Sequence, residues 1–304
     1  MRRHRWSDAE WRETLERLLR ERPPADRAQY DPVYFPRRAK DLGRSRPEIE
    51  QMALLSAMLA YGRVSAFLTV LRTLAEDSDY RPATLLQGSF DGRRWPAYRL
   101  SRGEDIASVV RAAVSVTERR GGLRESFQPG WDSDASVRAG VAALRGDLLQ
   151  AIPPRRRTRG VLHLLPGVEN GQCAKRWMLF LRWLVRRDDV DLGLWTAVPP
   201  RALVIPLDRH IAFLGRAFGW TRRRTDDART AEEITAVLRR FDPEDPLRYD
   251  FALCHLGISG LCRHAREGRC SPECAFRGVC RRYAGRGGAE VTGRPAAPAR
   301  GFVE

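Results

Sequence analysis

Apolar residues recur every three or four positions through most of this chain, and that spacing restricts the fold more than any other feature. The clearest run, EIEQMALLSAMLAYGRVSAFLTVLRTLAED, covers residues 48–77. Its helical period continues on both sides of Tyr61-Gly62-Arg63, which predicts two helices that meet at a tight turn. No segment of useful length alternates apolar and polar residues as a half-buried strand does. We therefore expect an all-α fold.

Four parts follow one another along the sequence. Residues 1–28 are expected to form a polar, Arg-rich helix that ends at a Pro-Pro break, and residues 29–260 a helical domain. Residues 261–283 hold closely spaced cysteines, and residues 284–304 are rich in Gly, Pro and Ala, which predicts a disordered tail. Within the helical domain, further amphipathic helices are predicted at 105–120, 134–152, 230–240 and 246–258.

The chain is strongly basic, with a formal net charge of +16 at pH 7. Such an excess of cations favours a polyanionic partner, foremost nucleic acid, because each cation placed on a phosphate releases a counterion. A coding bias toward Arg is the alternative explanation. No apolar run reaches the ~18 residues of a membrane span, and no apolar segment follows the basic N-terminus as in a secretory signal. We expect a cytoplasmic monomer that binds DNA and no membrane.

Lysine is rare among the 54 basic residues: the chain has only Lys40 and Lys175. A guanidinium stays charged, whereas an ammonium in an apolar setting can lose its proton and attack carbon. A lysine retained in so Arg-rich a chain is therefore a candidate for chemistry that only lysine performs. Chance survival of a lysine codon is the alternative, and it is a sufficient explanation for Lys40.

The turn Leu165-Pro166-Gly167-Val168-Glu169-Asn170-Gly171 separates two predicted helices, of which the second should run over 172–187 with Lys175 one turn inside it. Asp208 follows 33 residues later and precedes an apolar helical stretch, as a helix N-cap does. An ionised carboxylate beside a lysine suits expulsion of a base from deoxyribose. The carboxylate stabilises positive charge on the sugar, and the amine attacks the anomeric carbon. Capping alone, and a surface cation alone, are the simpler interpretations.

Along the chain stand a hairpin of the L-P-G-V-G kind, then a lysine, and then an aspartate that follows Ile205-Pro206-Leu207. This order resembles the catalytic core of helix-hairpin-helix DNA glycosylases. The interval between Lys175 and Asp208 is similar to that of the archaeal type of 8-oxoguanine DNA glycosylase. Most of residues 30–280 also resembles an uncharacterised bacterial family of unknown function. The resemblance implies a DNA glycosylase and abasic-site lyase for an oxidised purine such as 8-oxoguanine. It further implies Lys175 as nucleophile, Asp208 as electrostatic partner and no cofactor in the chemical step.

The same resemblance implies several contacts to damaged duplex DNA. Tyr61 and Arg63 lie in the turn that should enter the gap left by an extruded base. Gly167 and Gly171 should let the hairpin backbone approach a phosphate, and Arg176 is expected to add a cation. Packing of Tyr61 on the core is the alternative for that residue.

Four cysteines, Cys262, Cys270, Cys274 and Cys280, follow one another at the spacing C-x7-C-x3-C-x5-C. Four thiolates suit either a [4Fe-4S] cluster or tetrahedral zinc. The spacing is similar to the C-x6-C-x2-C-x5-C cluster motif of endonuclease III-like glycosylases and is longer by one residue in two intervals. This likeness favours the cluster over zinc, and four free thiols are the alternative.

A second function stays open on the sequence. Glu169 stands where the glycosylase hairpin usually has its second Gly, and a carboxylate there should repel phosphate. No base-recognition residues can be matched. The alternative is a non-catalytic protein that uses the same scaffold to recognise damaged or distorted DNA.

Overall fold

A computed structural model describes residues 6–87, 95–169, 171–258, 262 and 274–281. These residues form helices and connecting turns, and the only β-type pairs among them are isolated bridges. The prediction of an all-α fold is therefore confirmed. None of the described helices combines the length and hydropathy that crossing a membrane requires.

In the described part of the chain, the α-helices are separated by short connections and four 3₁₀ turns. They are α1 Asp8–Glu21, α2 Tyr34–Asp41, α3 Arg46–Leu59, α4 Val64–Asp77, α5 Gly103–Arg120, α6 Leu123–Asp134, α7 Val137–Ala151, α8 Arg159–Leu164, α9 Lys175–Val185, α10 Arg209–Phe218, α11 Ala228–Phe241 and α12 Asp250–Ile258. The 3₁₀ turns cover Pro24–Tyr30, Pro82–Leu86, Pro154–Arg156 and Pro200–Ala202.

Helices α3 and α4 are the pair predicted to meet at the turn containing Gly62, and this prediction is confirmed. Helix α3 starts after its N-cap Ser45, whose backbone amide and hydroxyl both donate to the carboxylate of Glu48, at 2.8 and 2.7 Å. Every side chain from Ile49 to Leu59 in this helix is buried. A helix that is buried on all sides lies in the middle of a bundle, and α3 accordingly packs against α2, α5 and α9.

Helix α9 is the second central element. All its residues after Lys175 are buried, and Trp177, Phe180 and Trp183 have no exposed surface. The two tryptophans are therefore core residues, and neither is available to stack on a DNA base. The indole of Trp177 also donates to the carbonyl of Pro166 at 2.9 Å, which ties the helix to the turn before it.

A buried ion-pair network fixes the far end of α9. Arg182 lies 2.6 Å from Asp250 at the start of α12 and 3.3 Å from Asp191, and Arg186 pairs with Asp191 and Asp245. Burial alone would lower the pKa of Arg182, but the neighbouring carboxylates outweigh it and raise that pKa. Since removal of one partner would strand a buried charge, this network holds α12 in a defined position against α9.

The N-terminal helix and the cysteine-rich segment meet on one aromatic cluster. Trp11 and Leu15 of α1 are buried in the common core, so this N-terminal helix packs into the helical domain. Phe276 is also buried, with its ring 5.9 Å from that of Trp11 and 4.8 Å from that of Phe218. The segment that carries Cys274 and Cys280 is therefore anchored to α1 and α10.

Candidate active site

The turn between α8 and α9 is held by two arginines of α7. Arg138 donates to the carbonyl oxygens of Val168 and Gln172 at 3.1 and 3.2 Å, and Arg145 donates to that of Leu165 at 3.0 Å. These bonds satisfy carbonyls that a helix leaves open at its end. The predicted turn is thus present and firmly attached to the bundle.

Glu169 folds back onto this turn. Its carboxylate accepts the amide of Val168 at 3.0 Å and lies 3.4 Å from the guanidinium of Arg145. A Cβ on Gly167 would come within 2.4 Å of the same carboxylate, so the glycine leaves room for it. The side chain that departs from the glycosylase pattern has partners inside the protein, which lessens its expected repulsion of phosphate.

Lys175 is the first residue of α9, and not a residue one turn inside it as the sequence predicted. The three preceding residues are not helical, because Ala174 takes a left-handed conformation with φ 48° and acts as the N-cap. An alanine there is strained, since only glycine adopts that region freely. The consequence is a partly buried lysine at the junction of turn and helix.

Asp208 caps α10, as predicted. Its Oδ1 accepts the amides of His210 and Ile211, each at 2.8 Å, so two free amides of the first turn are satisfied by one oxygen. Its Oδ2 lies 3.3 Å from the Sγ of Cys254. Each oxygen of this carboxylate therefore has its own partner.

The thiol of Cys254 contacts one predicted catalytic residue, Asp208, and its pKa responds to the charge of the other, Lys175. Burial raises the pKa of Cys254 well above the usual value, the carboxylates of Asp208 and Asp250 raise it further, and the ammonium of Lys175 lowers it. The start of α9 is also joined to the segment before α10, because Cys173 Sγ lies 3.9 Å from the carbonyl of Leu207.

Two further residues at this site are absent from the sequence predictions. Asp31 follows the first 3₁₀ turn, and its carboxylate accepts the amide of Val33 at 3.0 Å. Burial raises the pKa of Asp31, against the lowering effect of Arg182 and Lys175. Cys254 is the other. Neither stands at a spacing from Lys175 that marks it, and the sequence offers no signal that could have found them.

His255 lies beside the same carboxylate in a neutral form. Burial and the positive charges of Arg27 and Arg182 lower the pKa of His255 to about 4, although the negative charge of Asp208 raises it. The imidazole stacks on Phe251 with centroids 4.2 Å apart. Neither ring nitrogen has a hydrogen-bond partner among the described residues.

Tyr61 is held by the protein's own groups. Its hydroxyl donates to the carbonyl of Tyr98 at 3.0 Å, and its ring meets that of His163 edge to face, 4.7 Å between centroids. Arg63 caps α4 and is exposed. Within this turn Arg63 is therefore more exposed than Tyr61, which is partly buried.

Arg176 is not at the surface where the prediction of a DNA contact needs it. It is 9% exposed, and it donates to the carbonyls of Met58, at 2.7 Å, and His163. Burial lowers its pKa to about 10. Arg176 therefore joins α9 to α3 and α8, and its donors are used inside the core.

A second turn lies against the one containing Arg63. Residues 98–101 are closed by reciprocal backbone bonds of 2.8 and 2.9 Å, with Arg99 at φ 52°. Leu100 at its tip is 69% exposed. The phenol of Tyr98 donates to the carbonyl of Tyr61 at 2.5 Å, which joins the two turns. The sequence predictions missed Leu100, since an isolated leucine in a loop has no distinguishing pattern.

The basic connector before α8 adjoins the same turn. Thr158 donates to Asp105 at 2.5 Å, and a Cβ on Gly160 would lie 3.1 Å from the carbonyl of Leu100. The connector has four exposed cations without an ion-pair partner in the part of the chain that the structure describes: Arg155, Arg156, Arg157 and Arg159. The exposed residues in or next to these contacting turns are here called the two-turn surface: Arg63, Arg99, Leu100 and Arg159.

Of the four cysteines predicted to bind a metal, Cys270 lies outside the described residues. Cys262, Cys274 and Cys280 are each partly buried. Burial raises the pKa of Cys274, and the nearby Cys280 raises it further. Within the described ranges, no three His, Cys, Asp or Glu side chains converge as a metal site requires. The metal site therefore stays a prediction.

Comparison with known proteins assigns the chain to a family. Residues 31–259, about three quarters of the sequence, match the family model described as Protein of unknown function (DUF2400). No curated protein matches the chain. No solved structure matches it either.

Proposed function

The chain belongs to the DUF2400 family of proteins of unknown function, and we propose that it is a DNA glycosylase with abasic-site lyase activity. Its substrate is an oxidised purine such as 8-oxoguanine in duplex DNA. Lys175 is the nucleophile, and Asp208 stabilises the positive charge that develops on the sugar. The single observation that carries this proposal is the contact between the segments that lead into these two residues: Cys173 Sγ lies 3.9 Å from the carbonyl of Leu207, next to Asp208, whose carboxylate accepts two helix amides.

The bond changes follow from these two groups. The nitrogen lone pair of Lys175 bonds to C1′ while the bond from C1′ to the base breaks, and the base leaves with the electron pair and takes up a proton. The amine then gives up a proton. The C1′–O4′ bond breaks, O4′ is protonated, and a protonated imine remains between Nζ and C1′. Loss of a proton from C2′ next expels the 3′ phosphate with the C3′–O electron pair.

Asp208 suits its role because its geometry is fixed before substrate binds. Two amides from the first turn of α10 hold Oδ1, so the carboxylate does not reorient when charge develops. A preorganised charge of this kind stabilises a transition state without the cost of rearrangement. Oδ2 is the oxygen with the weaker partner, a thiol, and retains most of its capacity to face a cationic sugar.

The two-turn surface provides a place for DNA. Its arginines supply phosphate contacts, while Leu100 is an apolar side chain at the tip of a hydrogen-bonded turn. Exposed apolar side chains of this kind enter the gap that an extruded base leaves in the stack. We propose that Leu100, with Arg63 beside it, supports the distorted duplex while the base reaches Lys175.

Borohydride trapping tests the proposal. The purified protein is incubated with duplexes that carry 8-oxoguanine, uracil or an abasic site, and covalent adducts are resolved by denaturing electrophoresis. We expect an adduct with wild type and none with Lys175→Arg. Lys40→Arg is the matched control, since Lys40 is exposed and is the only other lysine, and it should trap as wild type does.

The opposite result is equally informative. If no substrate gives an adduct while binding to damaged duplexes persists, the lyase mechanism is excluded. The remaining function is then the alternative of a non-catalytic protein that recognises distorted DNA. An adduct that survives in Lys175→Arg would assign the nucleophile to another amine.

A further inference from the structure

Cys254 occupies a position that the proposed reaction does not by itself require. It lies in α12, one turn after Asp250, and its side chain meets the N-cap of α10. The distance from Sγ to Oδ2 of Asp208 is 3.3 Å, which is within hydrogen-bond range for sulfur. The other oxygen of this carboxylate, Oδ1, already accepts two backbone amides.

The direction of this hydrogen bond follows from the surroundings of the thiol. Burial raises the pKa of Cys254 well above its usual value, and the carboxylates of Asp208 and Asp250 add to that effect more than Lys175 offsets it. The group is therefore a neutral thiol at pH 7. A thiol is a weak donor, and Asp208 is the acceptor.

The placement of the thiol depends on the buried network of α9. Asp250, at the first turn of α12, is 2.6 Å from Arg182 of α9, and both side chains are buried. Lys175 begins the same α9. Because α10 also packs against α12, Cys254 stands where the helices carrying the lysine and the aspartate are joined.

We propose that Cys254 is a positioning residue for Asp208: while two amides hold Oδ1, its thiol holds the other oxygen, Oδ2, in the orientation that stabilises positive charge on the sugar. This inference rests on the proposed function. A strong donor or a cation at the same place would neutralise much of the charge on Oδ2. The weak S–H donor orients that oxygen and leaves its charge available to the developing cation on the sugar.

The effect of the Cys254 thiol on the reaction is measured by comparing three proteins: wild type, Cys254→Ser and Cys254→Ala. Serine keeps a donor of similar size, whereas alanine removes it. The rate of borohydride trapping on an abasic-site duplex is measured with enzyme in excess, and the Kd for the same duplex by fluorescence anisotropy without borohydride. We expect trapping by Cys254→Ala to be about tenfold slower, which corresponds to about 1.4 kcal/mol, with a Kd within about twofold of wild type. Cys254→Ser should recover most of the rate.

Two results would overturn the proposal. Trapping by Cys254→Ala at the wild-type rate would show that the thiol does not position Asp208. Equal losses in both variants, with weakened DNA binding, would assign Cys254 to packing alone. If wild type itself traps no DNA, the proposed function fails, and the positioning role fails with it.

The hydrogen bond between Cys254 and Asp208 is tested by a measurement that does not depend on catalytic activity. Raman spectra of wild type and Cys254→Ala identify the S–H stretching band of Cys254 by difference. In Asp208→Asn that band should move to higher frequency, because a neutral amide accepts a hydrogen bond more weakly than a carboxylate does. A band that stays in place would exclude the hydrogen bond, whatever the trapping experiments give.

Discussion

The guanidinium of Arg176 lies over the ring of Tyr61, 5.1 Å from its centroid, and both side chains are held from within the protein. Arg176 donates to backbone carbonyls of α3 and α8. The hydroxyl of Tyr61 is bonded to the turn at Tyr98. Two residues that the sequence predicts to contact DNA are thus held within the protein, next to the exposed residues of the two-turn surface.

Replacement of Arg176 should therefore affect stability and not DNA binding. Arg176→Met leaves the buried carbonyls of Met58 and His163 without donors, and each such loss costs about 1–3 kcal/mol. We expect urea denaturation to show a loss of about 2–4 kcal/mol. The Kd of the folded variant for abasic-site duplex should stay within about twofold of wild type. A large loss of affinity with unchanged stability would restore Arg176 as a DNA contact.

Replacement of Leu100 should weaken DNA binding and leave the stability of the fold nearly unchanged. Because the side chain is 69% exposed, Leu100→Ala should change the free energy of unfolding by less than about 0.5 kcal/mol. Affinity for a duplex with an abasic site should fall about tenfold, since the gap in the stack loses its apolar filler. Leu100→Met keeps a long apolar side chain and serves as the control. Fluorescence of 2-aminopurine beside the lesion measures the unstacking, and equal signals from all three proteins would contradict the role of Leu100.

The predicted metal site is tested by elemental analysis of protein purified without oxygen. Bound iron with sulfide indicates a [4Fe-4S] cluster, and one zinc per chain indicates the tetrahedral alternative. Cys274→Ser should lower the metal content several-fold, whereas Cys173→Ser, at the turn before Lys175, should leave it unchanged. Wild-type protein without either metal would mean that the four cysteines are free thiols.

Acid should destabilise the fold partly through His255. Its folded-state pKa of about 4 lies below the unfolded value of about 6.5. Protons therefore bind the unfolded chain first, and stability is lost as the pH falls from about 6.5 to about 4. The full contribution is on the order of 3 kcal/mol. His255→Leu should lack this component, so urea midpoints of wild type and variant at pH 7 and pH 4.5 should change by different amounts. Parallel changes would show that His255 does not titrate in this way.

Local features of the sequence were sufficient for much of the helical architecture. The apolar period located α3 and α4, and α5, which spans Gly103–Arg120, was predicted at 105–120. The cap at Asp208 was also predictable, because a capping carboxylate bonds to amides only two and three residues ahead. Helix α6, Leu123–Asp134, was missed since it contains Pro129, a residue that usually ends a helix.

The residues of the candidate site were only partly predictable from local features of the sequence. Lys175 was identifiable because lysine is rare in this chain and its chemistry is distinct from that of arginine. Its place at the first residue of α9 depends on the left-handed Ala174, a conformation that the residue type disfavours. No rule of local propensity would have placed the start of the helix there.

Tertiary structure alone decided which side chains meet. The 3.3 Å contact between Cys254 and Asp208 joins residues far apart in sequence. Lys175 is likewise far in sequence from Asp31, and yet its charge lowers the pKa of that carboxyl. Burial of Arg176 and exposure of Leu100 likewise depend on how helices and turns pack. Hydrophobic period and capping act over a few residues, and the sequence by itself determines them. Distance, burial and the pKa values they cause arise only after the chain has folded, because they depend on neighbours that no local pattern encodes.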